Sequence, residues 1–252
     1  MQPEIDLGPV ELQTFGIMLA LGFIAAGALI ARRFVELGRP ADWAYELAFA
    51  ALIGGLVGSR LDYVIQNYDD VRDDLLGGIF GGTGLVWFGG FLGGAIGVLL
   101  WARLRGYLRL EVLDVCVPGL ALGYAIGRIG CQLAGDGDYG VASDLPWAMA
   151  YPDGTVPTTE QVHPTPVYEF LAMGAVALIL WRLRNRFRPG ILFALYLVLA
   201  GIERLLVEFV RRNEDVAAGL TQPQLISVAM ILAGGAWLML RRGRLEQATA
   251  PA

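Results

Sequence analysis

The chain has no lysine, one histidine and two cysteines, and charge of either sign is scarce. Charged residues make up 17% of 252 positions, where a soluble domain carries about a quarter. Hydrophobic residues reach 56% and mean hydropathy is +0.55, so an ordinary water-soluble globule is excluded. Cys116 and Cys131 are expected on one helix, about 22 Å apart along its axis. A disulfide needs Cα atoms within about 7 Å, so the two cannot pair. Two cysteines carry no metal-site signature either, and neither a metal nor a cofactor is expected. The net charge of −5 is sorted by loop rather than pooled, and no nucleic-acid partner is expected.

What the chain does have is apolar runs of about 20 residues, the length that crosses a bilayer core. They fall at Leu12–Ala31, Ala44–Ile65, Leu85–Leu104, Leu113–Leu133, Pro166–Leu183, Ile191–Val210 and Gln224–Leu240. The expected fold is an all-α integral membrane protein with seven transmembrane helices in one polytopic domain, residues 1–252. Every cation is an arginine. Arg32, Arg33 and Arg39, then Arg103, Arg105 and Arg109, then Arg182, Arg184, Arg186 and Arg188, then Arg241, Arg242 and Arg244 fall on alternate loops and the C-terminus. The positive-inside rule puts those segments in the cytoplasm and the N-terminus outside, in the inner membrane of a bacterial cell. The opposite loops hold Asp69, Asp70, Asp73, Asp74, Asp136, Asp138, Asp144, Asp153 and Glu160. The leader Met1–Glu11 is acidic and unlike a cleaved signal peptide.

Glycines recur at helix-packing spacing: Gly54 and Gly58; Gly89, Gly93 and Gly97; Gly119, Gly123 and Gly127. Small residues four apart let helix backbones approach closely in a membrane. Gly89–Gly90 is the exception, a place where a ligand could approach the backbone. The polar stretch 134–163 is longer than a connection needs and is expected to form a small extracytoplasmic cap between spans four and five. Its Gly135-Asp136-Gly137-Asp138 start lacks the glutamate a calcium loop requires and reads as a turn ending the fourth helix.

Three arginines interrupt the spans: Arg60, Arg128 and Arg204, accompanied by Asp62, Glu169, Glu203 and Glu208. Each intramembrane charge costs roughly 2.5–3.5 kcal/mol on insertion scales and usually marks a site. Pairing along one helix, as for Arg204 with Glu208, leaves cations over. Arg204, Glu208 and Arg211 fall at i, i+4 and i+7, one helical face carrying cation, anion and cation. Guanidinium forks recognise phosphate, so arginines at headgroup depth suit an anionic phospholipid whose tails stay in the bilayer. His163, where the outward loop enters the fifth span, is either interfacial or a general base or phosphate donor.

These residues bring a family into view. The run Gly123-Tyr-Ala-Ile-Gly127-Arg128-Ile-Gly-Cys131-Gln-Leu-Ala-Gly135-Asp136-Gly-Asp138-Tyr-Gly140 resembles the signature of prolipoprotein diacylglyceryl transferases. Gly54-Gly-Leu-Val-Gly58-Ser-Arg60-Leu-Asp-Tyr63, the Gly89-Gly90 pair, His163-Pro-Thr-Pro-Val-Tyr168-Glu169, Arg204-x3-Glu208-x2-Arg211 and Thr221-Gln-Pro-Gln224 follow the family's pattern in order, over nearly the whole chain. The resemblance implies a diacylglyceryl transfer from phosphatidylglycerol to the lipobox cysteine of a secreted preprolipoprotein, with membrane lipids around the site. It implies that Arg128 and Arg204 hold the phosphate and that Glu208 orients Arg204. It assigns Arg60 and Tyr63 to the headgroup pocket, with Gly89, Gly90, Tyr168, Glu169 and Arg211 also binding substrate. Three features depart from the pattern, and one is the acidic position near the signature's end, which is Asp136 or Asp138 rather than glutamate, with two extra residues inserted there. Phe88 stands where the family has a histidine proposed as base for the thiol, and Cys131 where it has an asparagine. Asp136, Asp138, Glu208 and His163 are then the groups left for acid–base work. The alternatives are a divergent paralogue with another acceptor and a non-catalytic phospholipid-binding membrane protein.

Overall fold

A computed structural model describes residues 1–6, 8, 11–71, 86–217 and 219–241. Asp73, Asp74, Leu85, Arg242 and Arg244 from the sequence reading lie outside the described residues. The chain divides into two compact units, Met1–Ile30 with Leu113–Ala252, and Ala31–Val112. Each expected apolar run forms a helix: α1 (Thr14–Glu36), α2 (Asp42–Gln66), α4 (Trp87–Leu104), α5 (Leu110–Ala134), α6 (Thr165–Leu183), α7 (Ile191–Glu208) and α8 (Gln222–Arg241). A single turn, α3 (Tyr68–Val71), follows α2. Five of them, α1, α2, α5, α6 and α8, are long and apolar enough to cross a membrane. Within α4, Gly89–Leu104 is a shorter apolar stretch, and α7 carries Glu203, Arg204 and Glu208 in its last two turns.

Among the described residues three small antiparallel strand pairs accompany the helices and were not expected: β1 (Glu4–Asp6) with β2 (Glu11–Gln13), β3 (Met149–Tyr151) with β4 (Thr158–Val162), and β5 (Asp215–Ala217) with β6 (Leu220–Thr221). The β3–β4 hairpin folds the stretch 134–163. Tyr139 stacks on Tyr151 with ring centroids 4.8 Å apart, and Val162 is buried with them. The Gly140–Arg211 and Ala142–Val162 bridges fasten this element to itself and to the end of α7.

The first unit's core is built by three helices. Val117, Ala121 and Ala125 of α5 pack with Met173, Val176, Ala177 and Leu180 of α6 and with Leu192 and Ala200 of α7. Lipid tails are as apolar as these side chains, so close packing of small residues rather than water exclusion favours the contact. The Asp114 carboxylate accepts hydrogen bonds from the backbone N–H groups of Gly190 (2.6 Å) and Phe193 (2.8 Å). It places an anion at the N-terminal end of α7, where the helix dipole favours one. The register that results matters most for the site. Arg128 lies one turn past Ala125, Glu169 one turn before Met173 and Arg204 one turn past Ala200, so all three emerge at the same end of the core.

In the second unit α2 and α4 meet backbone to backbone. A Cβ on Gly58 would fall 2.8 Å from the Cα of Gly93, and one on Gly54 would strike the Gly93 carbonyl. Phe34, fully buried, packs among Trp43, Trp101 and Tyr107, and the Arg39 guanidinium lies 4.9 Å from the Tyr107 ring centroid.

Candidate anion site at the end of the helical core

Glu169 is the centre of the site. It lies one turn into α6, which opens with Thr165-Pro166, and its side chain is fully buried. Burial of an ionised carboxylate is tolerable only with partners, and Glu169 has four. Its Oε2 faces Nε of Arg128 at 3.0 Å and Nη1 of Arg211 at 3.5 Å. Its Oε1 faces Nη1 of Arg204 at 2.6 Å and accepts from the Tyr124 hydroxyl at 3.0 Å. Tyr124 in turn accepts from Nη2 of Arg128 at 2.9 Å, and its ring lies beneath the same guanidinium, 4.8 Å from Cζ.

Two further carboxylates complete the pairing. Glu208, also fully buried, faces Nη2 of Arg204 at 3.1 Å and Nε of Arg211 at 4.0 Å. Its other oxygen accepts from the Thr221 hydroxyl at 2.8 Å and the Asn213 amide at 2.5 Å. Asp138 bridges the remaining ends: one oxygen meets Nη1 of Arg128, the other Nη2 of Arg211. Burial pushes the Asp138 carboxyl upward, but the two guanidiniums outweigh it and hold the group below the usual carboxylate range. Three arginines and three carboxylates therefore neutralise one another. Among these six groups the surplus of cations expected from pairing along one helix is not seen, because Glu169 and Asp138 each pair with arginines from other parts of the chain.

Arg128, Asp138, Glu169, Arg204, Glu208 and Arg211 are thus brought together. The helix expected to run to Val210 stops at Glu208. Arg211 reaches the cluster from a bridge with Gly140 instead of from a helical face, because the chain turns at Phe209 and Val210. Asp136 lies beside the cluster and accepts from the Asp138 N–H at 3.3 Å. His163 contacts Tyr168 (Nδ1 to hydroxyl, 3.3 Å), and the Trp147 indole N–H donates to the same hydroxyl at 2.7 Å. Arg60, Tyr63, Gly89 and Gly90 belong to the second unit. There Arg60 lies 5.0 Å from the Tyr63 ring centroid, and the Gly89 N–H donates to Asp62 at 2.9 Å. The open face of Gly89 is filled by the Gly58 backbone and the Asp62 side chain.

The sequence reading missed Tyr124, Asn213 and Thr221 as site residues. Tyr124 had a usable signal, one turn before Arg128 on the same helix. Donor atoms of Cys131, Asp136 and Asp138 lie within 4.8 Å of one another, a spacing a metal ion could use. Nη1 of Arg128 is already 3.7 Å from the Cys131 sulfur and paired with Asp138, so a guanidinium holds the place of a cation there.

Comparison with known proteins finds relatives over nearly the whole chain. The family model described as Prolipoprotein diacylglyceryl transferase matches residues 3–240. A phosphatidylglycerol–prolipoprotein diacylglyceryl transferase of Chromohalobacter salexigens is 37% identical over 251 residues, covering 92% of this chain and 91% of its own. Proteins of the same name from Dehalococcoides mccartyi (33% over 250 residues; 96% and 94% covered) and Clostridium tetani (32% over 240 residues; 93% and 95% covered) are similar throughout.

Proposed function

Because the chain belongs to the prolipoprotein diacylglyceryl transferase family, we propose that it transfers diacylglyceryl from phosphatidylglycerol to the cysteine thiol of a prolipoprotein. The chain is a transferase of a multi-pass membrane type, and the names of its relatives supply both substrates. The observation that carries the reading is the convergence of Arg128, Arg204 and Arg211 on one buried carboxylate at the end of the helical core.

In the transfer, the thiol sulfur bonds to the glyceryl carbon that carries the phosphate. The carbon–oxygen bond to that phosphate breaks, and the thiol proton ends on the departing glycerol phosphate. Charge gathers on the phosphate oxygens as the bond breaks. Guanidiniums fixed beforehand by Glu169, Glu208 and Tyr124 stabilise that charge without reorganising. In this reading Arg128 and Arg204 hold the phosphate, while Glu208 orients Arg204 and Arg211. Asp136 and Asp138, with His163 against Tyr168, are the groups offered for the thiol proton.

The seven-span arrangement belongs to the same proposal. The arginine-rich loops put the C-terminus in the cytoplasm and the N-terminus outside, in a bacterial inner membrane. The folded stretch 134–163 is then an extracytoplasmic cap beside the site. Purified protein incubated with phosphatidylglycerol and a lipobox peptide is expected to yield lipidated peptide and free glycerol phosphate, and Arg128→Ala to abolish both. No product, with a known transferase active in parallel, overturns the reading.

A further inference from the structure

The charge balance of the site sets a condition on any anion that enters it. Arg128, Arg204 and Arg211 are matched by Asp138, Glu169 and Glu208. Glu203, a fourth carboxyl on α7, is 8% exposed, and its Oε1 has no hydrogen-bond partner. A phosphodiester added to this set is one buried anion too many, which a low-dielectric interior strongly disfavours. One resident carboxylate has to give way.

The three are not equally able to do so. Glu169 is held by three guanidiniums and a phenol, and Glu208 by two guanidiniums, Thr221 and Asn213, both with fully buried side chains. Asp138 is 31% exposed and touches each of its arginines through one terminal nitrogen. Its two oxygens face two different guanidiniums, an arrangement that the two non-bridging oxygens of a phosphodiester can reproduce. Its backbone is fixed independently of that contact. The Thr165 hydroxyl donates to the Asp138 carbonyl, and the flanking glycine Gly137 takes a positive φ of 92° that holds the turn. The side chain can therefore leave by rotating about its own bonds, with no movement of the loop.

We infer that Asp138 is a resident anion that occupies the fork between Arg128 and Arg211 until the phosphodiester of the lipid displaces it. The inference rests on the reading of the cluster as a phosphate site and adds the exchange by which that site fills. Asp138 is then a specificity element: a neutral lipid cannot displace it, and an anion must compete with it.

The test uses the full-length protein in detergent, with Asp138→Asn, Asp138→Ala and Asp138→Glu. Affinity is measured for short-chain phosphatidylglycerol, short-chain diacylglycerol and free glycerol phosphate. A charge-assisted contact of ordinary strength corresponds to about ten-fold or more. Asp138→Asn and Asp138→Ala are expected to bind phosphatidylglycerol at least about ten-fold more tightly than the wild type, with diacylglycerol unchanged. Asp138→Glu, which keeps the anion, should stay near wild type. Tightening for phosphatidylglycerol alone assigns the fork to the lipid headgroup, and equal tightening for glycerol phosphate assigns it to the phosphate as such; either supports the exchange. Phosphatidylglycerol bound by the wild type but no more tightly by Asp138→Asn or Asp138→Ala overturns the exchange and leaves the phosphate site standing. Equal tightening in Asp138→Glu also overturns it, since charge is then not the cause. Phosphatidylglycerol bound no better than diacylglycerol by the wild type and all three variants overturns the phosphate site itself, and the exchange with it. A merely structural role for Asp138 predicts lower affinity in every charge-removing variant, the opposite direction.

Discussion

Glu169→Gln is the most informative single change in this chain. Glutamine preserves size and one acceptor oxygen, but replaces the other oxygen with an amide that donates. Whichever way the amide turns, its N–H groups point at a guanidinium: Arg204 on the Oε1 side, Arg128 and Arg211 on the Oε2 side. The variant also leaves three buried cations facing two carboxylates. Removing one partner of a buried ion pair costs about 3–5 kcal/mol, because the other charge remains uncompensated. For a chain of this size each kcal/mol moves the melting temperature by roughly 2–4 °C, so a fall on the order of 10 °C is expected. The assay is thermal unfolding of the detergent-solubilised protein, followed by tryptophan fluorescence and paired with the transfer assay. Turnover should fall with stability, since the same carboxylate aims all three guanidiniums. A melting temperature within about 2 °C of wild type, with turnover intact, would refute the assignment of Glu169 as the hub. The double variant Glu169→Gln with Arg204→Met sharpens the result: removing both partners should cost less than the two single losses added together, as coupled neighbours do.

Three further outcomes follow. Arg204→Lys should lower turnover by roughly 100-fold, because one ammonium cannot reach both Glu169 and Glu208 as the two terminal nitrogens of Arg204 do; unchanged steady-state kinetics would count against it. Wild type should be more stable than Asp138→Asn at neutral pH. A carboxyl whose folded pKa is lowered contributes stability that is present above its unfolded value, about 3.9, and is lost as pH falls through the lower folded value. Arg128 and Arg211 stay charged throughout, and Cys131 and Asp136 are common to both proteins. The gap in melting temperature should therefore close below about pH 4, and a gap that persists or widens in acid would contradict the ion pairing. In the second unit, Gly93→Val should prevent α2 and α4 from meeting, since a side chain there would strike the Gly54 carbonyl and Gly58. Loss of monodisperse protein in size-exclusion chromatography is the readout.

The helices were legible because an apolar run of membrane-crossing length has few other readings, and each of the seven expected runs is a helix. The hairpins were not, because strands of two to five residues such as Glu4–Asp6 and Thr158–Val162 are too short to show a period of two. The arginines and carboxylates announced themselves as charges out of place. Their pairing did not: Glu169 is 35 residues from Arg204 and 42 from Arg211, and Asp138 is 73 from Arg211. Arg204 with Glu208 is local and visible along the helix; the sharing of Glu169 among three helix ends is a property of the packed core. The same limitation made the cations look unspent.

With all three arginines paired, selection at this site works by exchange, and the carboxylates fall into two kinds. Glu169 is buried, multiply held and aims the guanidiniums; Asp138 is partly exposed, held at two points and stands where an incoming phosphodiester would bind. Neutralising the two should therefore have opposite effects on phosphatidylglycerol affinity, although each change removes one negative charge from the same cluster. Asp138→Asn removes the resident anion from the fork and leaves Arg128 and Arg211 aimed, so binding tightens. Glu169→Gln leaves Asp138 in the fork and releases the guanidiniums from the carboxylate that positions them, so binding weakens even though the net charge has become more favourable to an anion. A simple electrostatic account, in which only the summed charge matters, predicts tighter binding for both. Titrating both variants with the same short-chain lipid separates the two accounts, and tightening in both would show that position within the cluster carries no weight.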